Sequence, residues 1–266
     1  MPTIDGDMSN YGISSLSIIP ARAEPDDRSE MTTQILFGEA FTILEEQEKW
    51  IKIYTANDHY ECWIGRKQIL PLSEQSFRLI ANVQFPLVAD LIDLIAEPRG
   101  GSFPVVIGSQ LPNYSNGKLF LENEEFFFDG NCIIPETIPD RNKLLETAFM
   151  FINAPYLWGG RSPFGIDCSG FTQMTYRMNG IQLPRDAKDQ ALLGRPLSFL
   201  EESQPGDLAF FDNEEGKIIH VGIILANHRI IHASGNVRID FLDHQGIFHS
   251  AFKTYTHHLR VIKSFF

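Results

Sequence analysis

Three side chains in this sequence have the types needed to make and stabilise a sulfur nucleophile: Cys168, His220 and His232. Cys168 follows Asp167, a good N-cap residue. The spacing of Phe171, Met174, Thr175 and Met178 predicts a helix that begins at the cysteine and stops near Gly180. Unpaired N–H groups and the positive end of the helix dipole favour an anion there, so a thiol more acidic than a free one is expected. A cysteine alone reads as a small buried hydrophobe. Two histidines inside strand-like runs, 218–224 and 229–234, change that reading, because nucleophile, base and orienting group are the parts of thiol hydrolysis. The same three residues could instead offer nitrogen and sulfur ligands to a catalytic zinc.

The elements that carry these groups constrain one another. In an antiparallel hairpin, opposed side chains lie on the same face. A two-residue loop at Asn227-His228 would pair Ala226 with Arg229 and put the histidines on opposite faces. A three-residue loop of Ala226, Asn227 and His228 pairs Leu225 with Arg229, so that His232 opposes Gly222 and lies diagonally beside His220. The odd loop is therefore expected, with a positive φ near His228, which Asn and His tolerate. His220 would then take the Cys168 proton and later protonate the leaving amine, while His232 fixes its tautomer and ring plane.

Composition sets the frame. The 266 residues include 43% hydrophobic ones, enough for two or three cored domains. A net charge of -12, from 22 basic and 34 acidic residues without a basic run, argues against nucleic acid or an anionic membrane as partner. Cysteines at 62, 132 and 168 imply no disulfide framework and form no CxxC metal pair, and no cofactor is expected. The first ten residues carry no basic segment followed by an apolar one, so a cytoplasmic location is expected, or a periplasmic one if an export signal has been removed. Short alternating runs separated by turn residues predict a small β-barrel over 1–72 and a second, divergent one over 73–138, where 87–96 could also form a short helix. Pro135 and Pro139 mark a linker. A helix over 141–151, the nucleophile helix and then three strands predict an α+β domain over 139–266.

Six motifs surround the chemistry: Tyr156-Leu157-Trp158-Gly159-Gly160, Asp167-Cys168-Ser169-Gly170-Phe171, Leu183-Pro184-Arg185-Asp186, Pro205-Gly206-Asp207-Leu208, His220-Val221-Gly222-Ile223 and Ile231-His232-Ala233-Ser234. In order and spacing the second half of the chain resembles the NlpC/P60 cysteine peptidases. Within that family the likeness is to the γ-D-glutamyl-L-diamino acid endopeptidases, and Gly38, Trp50 and Trp63 resemble the bacterial SH3-like domain these carry ahead of the catalytic one. The resemblance implies a multi-domain fold, N-terminal all-β SH3-like barrels followed by an α+β papain-like catalytic domain. It also implies cleavage of the bond between γ-D-glutamate and the diamino acid in free murein tripeptides or tetrapeptides with an unblocked L-alanine, for cell-wall recycling. Hydrolysis of intact peptidoglycan stems, or amidase or acyltransferase chemistry on the same fold, stays open.

By the same resemblance the Tyr156 hydroxyl would join the Cys168 backbone N–H in holding the oxyanion. Asp167, Ser169 and Asp186 would bind substrate, Trp158 would wall the alanine subsite, and Tyr60 and Glu30 would come from the first SH3-like domain. Each has an ordinary alternative. Asp167 and Asp186 could simply cap helices, Ser169 could be a first-turn residue, Glu30 a surface glutamate, Trp158 a buried core tryptophan and Tyr156 an ordinary packed tyrosine. Ala187 stands where relatives can carry a serine.

Overall fold

The computed structural model describes residues 9–136 and 138–266. The first eight residues, on which part of the leader reading falls, and Thr137 of the expected linker lie outside the described residues. The chain divides into two units, Met1–Ile134 and Pro135–Phe266. Among the described residues, no helix is long and apolar enough to cross a membrane.

The first unit is built on strands β1 (Tyr11–Ile13), β2 (Ile18–Arg22), β3 (Met31–Leu36), β4 (Ala40–Glu46), β5 (Trp50–Thr55), β6 (Glu61–Gly65) and β7 (Leu70–Leu72), paired in the order β3-β2-β6-β5-β4-β1-β7. Alternation along them sends Ile19, Ala21, Ile35, Phe41, Ile51, Ile53, Cys62 and Ile64 into one apolar core. Helix α1 (Glu74–Asn82) follows, capped by the Ser73 hydroxyl, which accepts from the Ser76 N–H. Strands β8 (Leu87–Val88), β9 (Ile92–Ala96), β10 (Ser102–Val106), β11 (Lys118–Leu121), β12 (Glu124–Phe127) and β13 (Cys132–Ile133) complete the unit. The segment 87–96 is therefore strand, and the helix lies before it. Ile13, Phe37 and Leu72 from the first set share a second core with Ile80, Val88, Ile95, Val105 and Leu119, so the two β-rich sets pack as one body.

The second unit begins with α2 (Arg141–Met150), capped by Asp140. A small hairpin of β14 (Arg161–Ser162) and β15 (Gly165–Ile166) leads into α3 (Cys168–Arg177), followed by the short α4 (Ala187–Gln190). Then come β16 (Arg195–Leu197), β17 (Leu208–Asp212), β18 (Ile218–Leu225), β19 (Arg229–Ser234), β20 (Asn236–Leu242), β21 (Gly246–His249) and β22 (Thr254–Ser264). They pair in the order β16-β22-β17-β18-β19-β20-β21, and β21 pairs again with β22, so the sheet closes into a ring from β17 to β22. Phe151 of the loop after α2 meets Phe171 of α3 edge-on at 6.0 Å, and α3 lies against β18 and β19. A closed antiparallel sheet with its helices set against it is the α+β arrangement expected.

Ala209, Phe211, Ile224, Ile230, Leu242 and Ile247 form one apolar cluster of this sheet. Phe211 opposes His220 and Ile247 opposes His257. By the two-residue alternation His232 shares the face of Ile230, and Asp240 that of Leu242. Four polar side chains thus continue one apolar face, and this positions the site.

Candidate active site

The hairpin register is the one that puts both histidines on one face. Ile223 pairs with Ile231, Ile224 with Ile230 and Leu225 with Arg229, leaving a three-residue loop. Asn227 and His228 take φ values of 60° and 55°, the positive values this loop demands. Gly222 lies beneath the second histidine, where a Cβ would stand 2.8 Å from that of His232. The glycine lets the two strands hold both rings together.

His220 Nε2 lies 2.8 Å from His232 Nδ1, and His232 Nε2 lies 3.1 Å from Asp240 Oδ2. Burial acts to raise the Asp240 carboxyl, but hydrogen bonds from His232 and Arg238 hold it down to about 2, so it is an acceptor only. Arg238 grips it with two contacts, 2.7 and 2.8 Å long. Burial holds both histidines below their ordinary value, His220 far below, so each is neutral at neutral pH. The protons can then be assigned. His232 Nε2–H donates to Asp240, His232 Nδ1 accepts from His220 Nε2–H, and His220 Nδ1 is left bare as a base. Zinc ligation does not fit this arrangement, because the two imidazole nitrogens that face each other share one hydrogen bond and are not turned toward a common ion. Among the described residues no group of three or more His, Cys, Asp or Glu is disposed to hold a metal.

Cys168 is the first residue of α3, and the backbone N–H groups of Val221 and Ser169 both reach its sulfur. The expected low thiol pKa is not what the structure gives. Burial, with the Asp167 carboxylate adding to it, pushes the thiol up to about 12, and those N–H groups and Arg185 offset only part of this. The resting pair is neutral thiol and neutral imidazole, so the proton moves as the sulfur attacks.

Asp167 caps α3 by accepting from Gly170 N at 2.7 Å, and its other oxygen accepts from Gly159 N at 2.8 Å. Arg185, almost fully buried, donates to both oxygens at 3.1 and 2.6 Å and to the Ser169 hydroxyl at 2.9 Å. Asp167 and Ser169 are thereby absorbed into a buried network that fixes the start of α3. A substrate cation at Asp167 would have to compete with a guanidinium already in place, so the structure favours the capping role. Gly170 has no room for a side chain, since a Cβ there would stand 2.2 Å from Gly160 O. Gln190 of α4 donates to the carbonyls of Ser169 and Pro184, tying the Leu-Pro-Arg-Asp segment to the nucleophile helix.

Tyr156 is half-buried near the cysteine. Burial, with Cys168 and Asp167 adding, pushes its phenol up to about 12, which keeps it a donor at neutral pH, as an oxyanion partner must be. Asp186 heads α4, partly exposed, with Lys188 Nζ at 3.5 Å. Trp158 is 59% exposed and so is not a core tryptophan. Tyr60 and Glu30 belong to the first unit; Tyr60 packs against its core and Glu30 is exposed. Two residues of this network were not singled out in the sequence: Arg185 was visible only as part of a motif, and Asp240 needed the register across Gly235.

Residues 153–259 match the model of the NlpC/P60 family, and residues 21–69 match that of the bacterial dipeptidyl-peptidase Sh3 domain. A γ-D-glutamyl-L-lysine dipeptidyl-peptidase of Bacillus cereus is 30% identical over 77% of this chain and 68% of its own length. Dipeptidyl-peptidase 6 of Lysinibacillus sphaericus is 30% identical over 84% of this chain and 88% of its own. The crystal structure of an NlpC/P60 family protein from Bacillus cereus aligns with a TM-score of 0.81 over 96% of this chain and 99% of that one, at 21% identity, a likeness of fold. With a thiol, two linked imidazoles and a carboxylate assembled on that fold, this chain belongs to the NlpC/P60 family and is a cysteine peptidase built on an SH3-type domain followed by the catalytic one.

Proposed function

We propose that this peptidase cuts the bond between γ-D-glutamate and the diamino acid in free murein tripeptides or tetrapeptides whose L-alanine is unblocked, in the cytoplasmic recycling of cell-wall peptides. The observation that supports this most is that the likeness to the two dipeptidyl-peptidases runs across most of the chain.

In the reaction, Cys168 sulfur attacks the γ-carbonyl of D-glutamate while its proton passes to His220 Nδ1. The Cys168 backbone N–H and the Tyr156 hydroxyl hold the oxyanion. Collapse releases the diamino acid amine, which takes the proton from His220 and leaves a thioester. Water then attacks this with His220 again as base, releasing L-Ala-D-Glu. Asp186 is the acid of the catalytic unit assigned to the alanine ammonium, and Trp158 offers that subsite an exposed flat wall.

The test compares L-Ala-γ-D-Glu-L-Lys with its N-acetyl form and with intact peptidoglycan. Acetylation removes the cation assigned to Asp186 and adds bulk at that subsite, and should lower kcat/KM by about tenfold or more. Equal kcat/KM on free and acetylated peptide would reject amine recognition, and release of stems from intact wall would replace this reading with a wall hydrolase.

A further inference from the structure

Beside the proton chain stands a ring that takes no part in it. His257, on β22, stacks on His220 with centroids 4.1 Å apart and planes 26° apart. It meets His232 edge-on at 5.9 Å and Phe211 at 6.0 Å. His220 and His232 are themselves nearly perpendicular, at 86°. A hydrogen bond at one nitrogen leaves an imidazole free to rock about that bond, and a parallel ring against its face removes the freedom. Thr256 Oγ1 donates to the Ile247 carbonyl at 3.4 Å and lies 2.9 Å from His257 Nδ1. The hydroxyl therefore accepts from Nδ1–H, which fixes the His257 ring in turn.

We infer that His257 is a positioning residue for the base: its neutral face fixes the plane of His220 and receives the positive charge when His220 takes the Cys168 proton. The face of a neutral aromatic ring attracts a cation, whereas a second positive ring stacked on the first would repel it. Neutrality is secured by what surrounds His257. His220 faces it from β18, His232 from β19, Asp240 from β20, and His258 is its neighbour on β22; Phe211 of β17 and Ile247 of β21 are apolar. Burial and then His232 bring its pKa down to about 4, with Asp240 pulling the other way. The inference rests on Cys168 and His220 as the catalytic pair and not on the identity of the peptide.

The experiment follows iodoacetamide labelling of Cys168 by mass spectrometry between pH 5 and 9, with kcat and KM on the tripeptide, for wild type, His257→Leu, His257→Phe and His257→Gln. Labelling at neutral pH depends on His220 drawing off the thiol proton. Leu and Gln should each lower the rate at pH 7, and kcat, by about tenfold with KM within about twofold, the gap narrowing as pH rises. Phe restores a flat face and should return both to within about threefold of wild type. Its acid limb should be the shallower, since the ring that could charge has gone. Thermal unfolding identifies any variant that fails to fold, and the order of Phe above Gln then carries the test. Wild-type rates and pH profile in Leu or Gln, or Phe no better than Gln, would overturn the inference. If the tripeptide is not cut but labelling follows this order, the substrate reading fails alone.

Discussion

His232 Nε2 sits 3.1 Å from Asp240 Oδ2, and that contact sets the position of every proton on the two linked imidazoles. An ionised Asp240 accepts only, so His232 must present a bare Nδ1 to His220, and His220 is left with a bare Nδ1 as its basic nitrogen. Asp240→Asn offers an amide N–H instead and allows the chain to reverse, leaving His220 protonated on the wrong nitrogen. It should fold with near-normal KM and lose roughly 10²–10⁴ in kcat, as a reversed tautomer does in other hydrolases. Steady-state kinetics on purified protein checks this.

Gly222 carries a second prediction. A methyl group there would stand 2.7 Å from Ile230 Cδ1 and 2.8 Å from His232 Cβ, so Gly222→Ala must push β19 away and stretch the His220–His232 contact. Overpacking of this kind costs about 1–3 kcal/mol. A lowered melting temperature with at least a tenfold loss of kcat is expected.

These two residues show how far the sequence could be read. The odd loop after Leu225 followed from requiring both histidines on one face, and the nucleophile helix from Asp167 before Cys168 with the apolar spacing behind it. Asp240 was hidden because it becomes a neighbour of His232 only through a second hairpin register. His257 was hidden because the ring closes through the pairing of β21 with β22. The direction of the thiol shift was unreadable for another reason. The pull of a helix end is written in local sequence, whereas burial among β18, Asp167 and Arg185 is not. In the first unit, 87–96 has apolar spacing compatible with a helix but supplies strands to a core shared with the first sheet.

Arg185 and Asp167 form a buried pair, with Nη2 to Oδ2 at 2.6 Å. Arg185→Leu strands the carboxylate beside the nucleophile and should cost about 3–5 kcal/mol. Adding Asp167→Asn removes the stranded charge and should recover a large part of the stability while leaving activity low, because the amide no longer organises the start of α3. Chemical denaturation of the single and double variants measures both.

Stability should fall on the acid side of neutrality. His220, His232 and His257 are all held below their ordinary value of 6.5, so the unfolded chain binds protons that the folded one refuses. Their contribution is complete above about pH 6.5 and drains away as pH falls toward the folded values, with His257 at about 4. Asp240 acts lower, being stabilising above its ordinary 3.8 and lost as pH falls through about 2. Melting temperatures from pH 7.5 to 4.5 should drop in wild type, and drop less in His257→Phe.

The most direct test of the account is the fate of L-Ala-γ-D-Glu-L-Lys, and of its diaminopimelate counterpart, with wild type and with Cys168→Ala, followed by mass spectrometry. Wild type should give L-Ala-D-Glu and free diamino acid in equal amounts, with an acyl group on Cys168 in acid-quenched samples, and Cys168→Ala should give no product. Turnover that survives in Cys168→Ala, or product formed with no acyl group on Cys168 under single-turnover conditions, would contradict it.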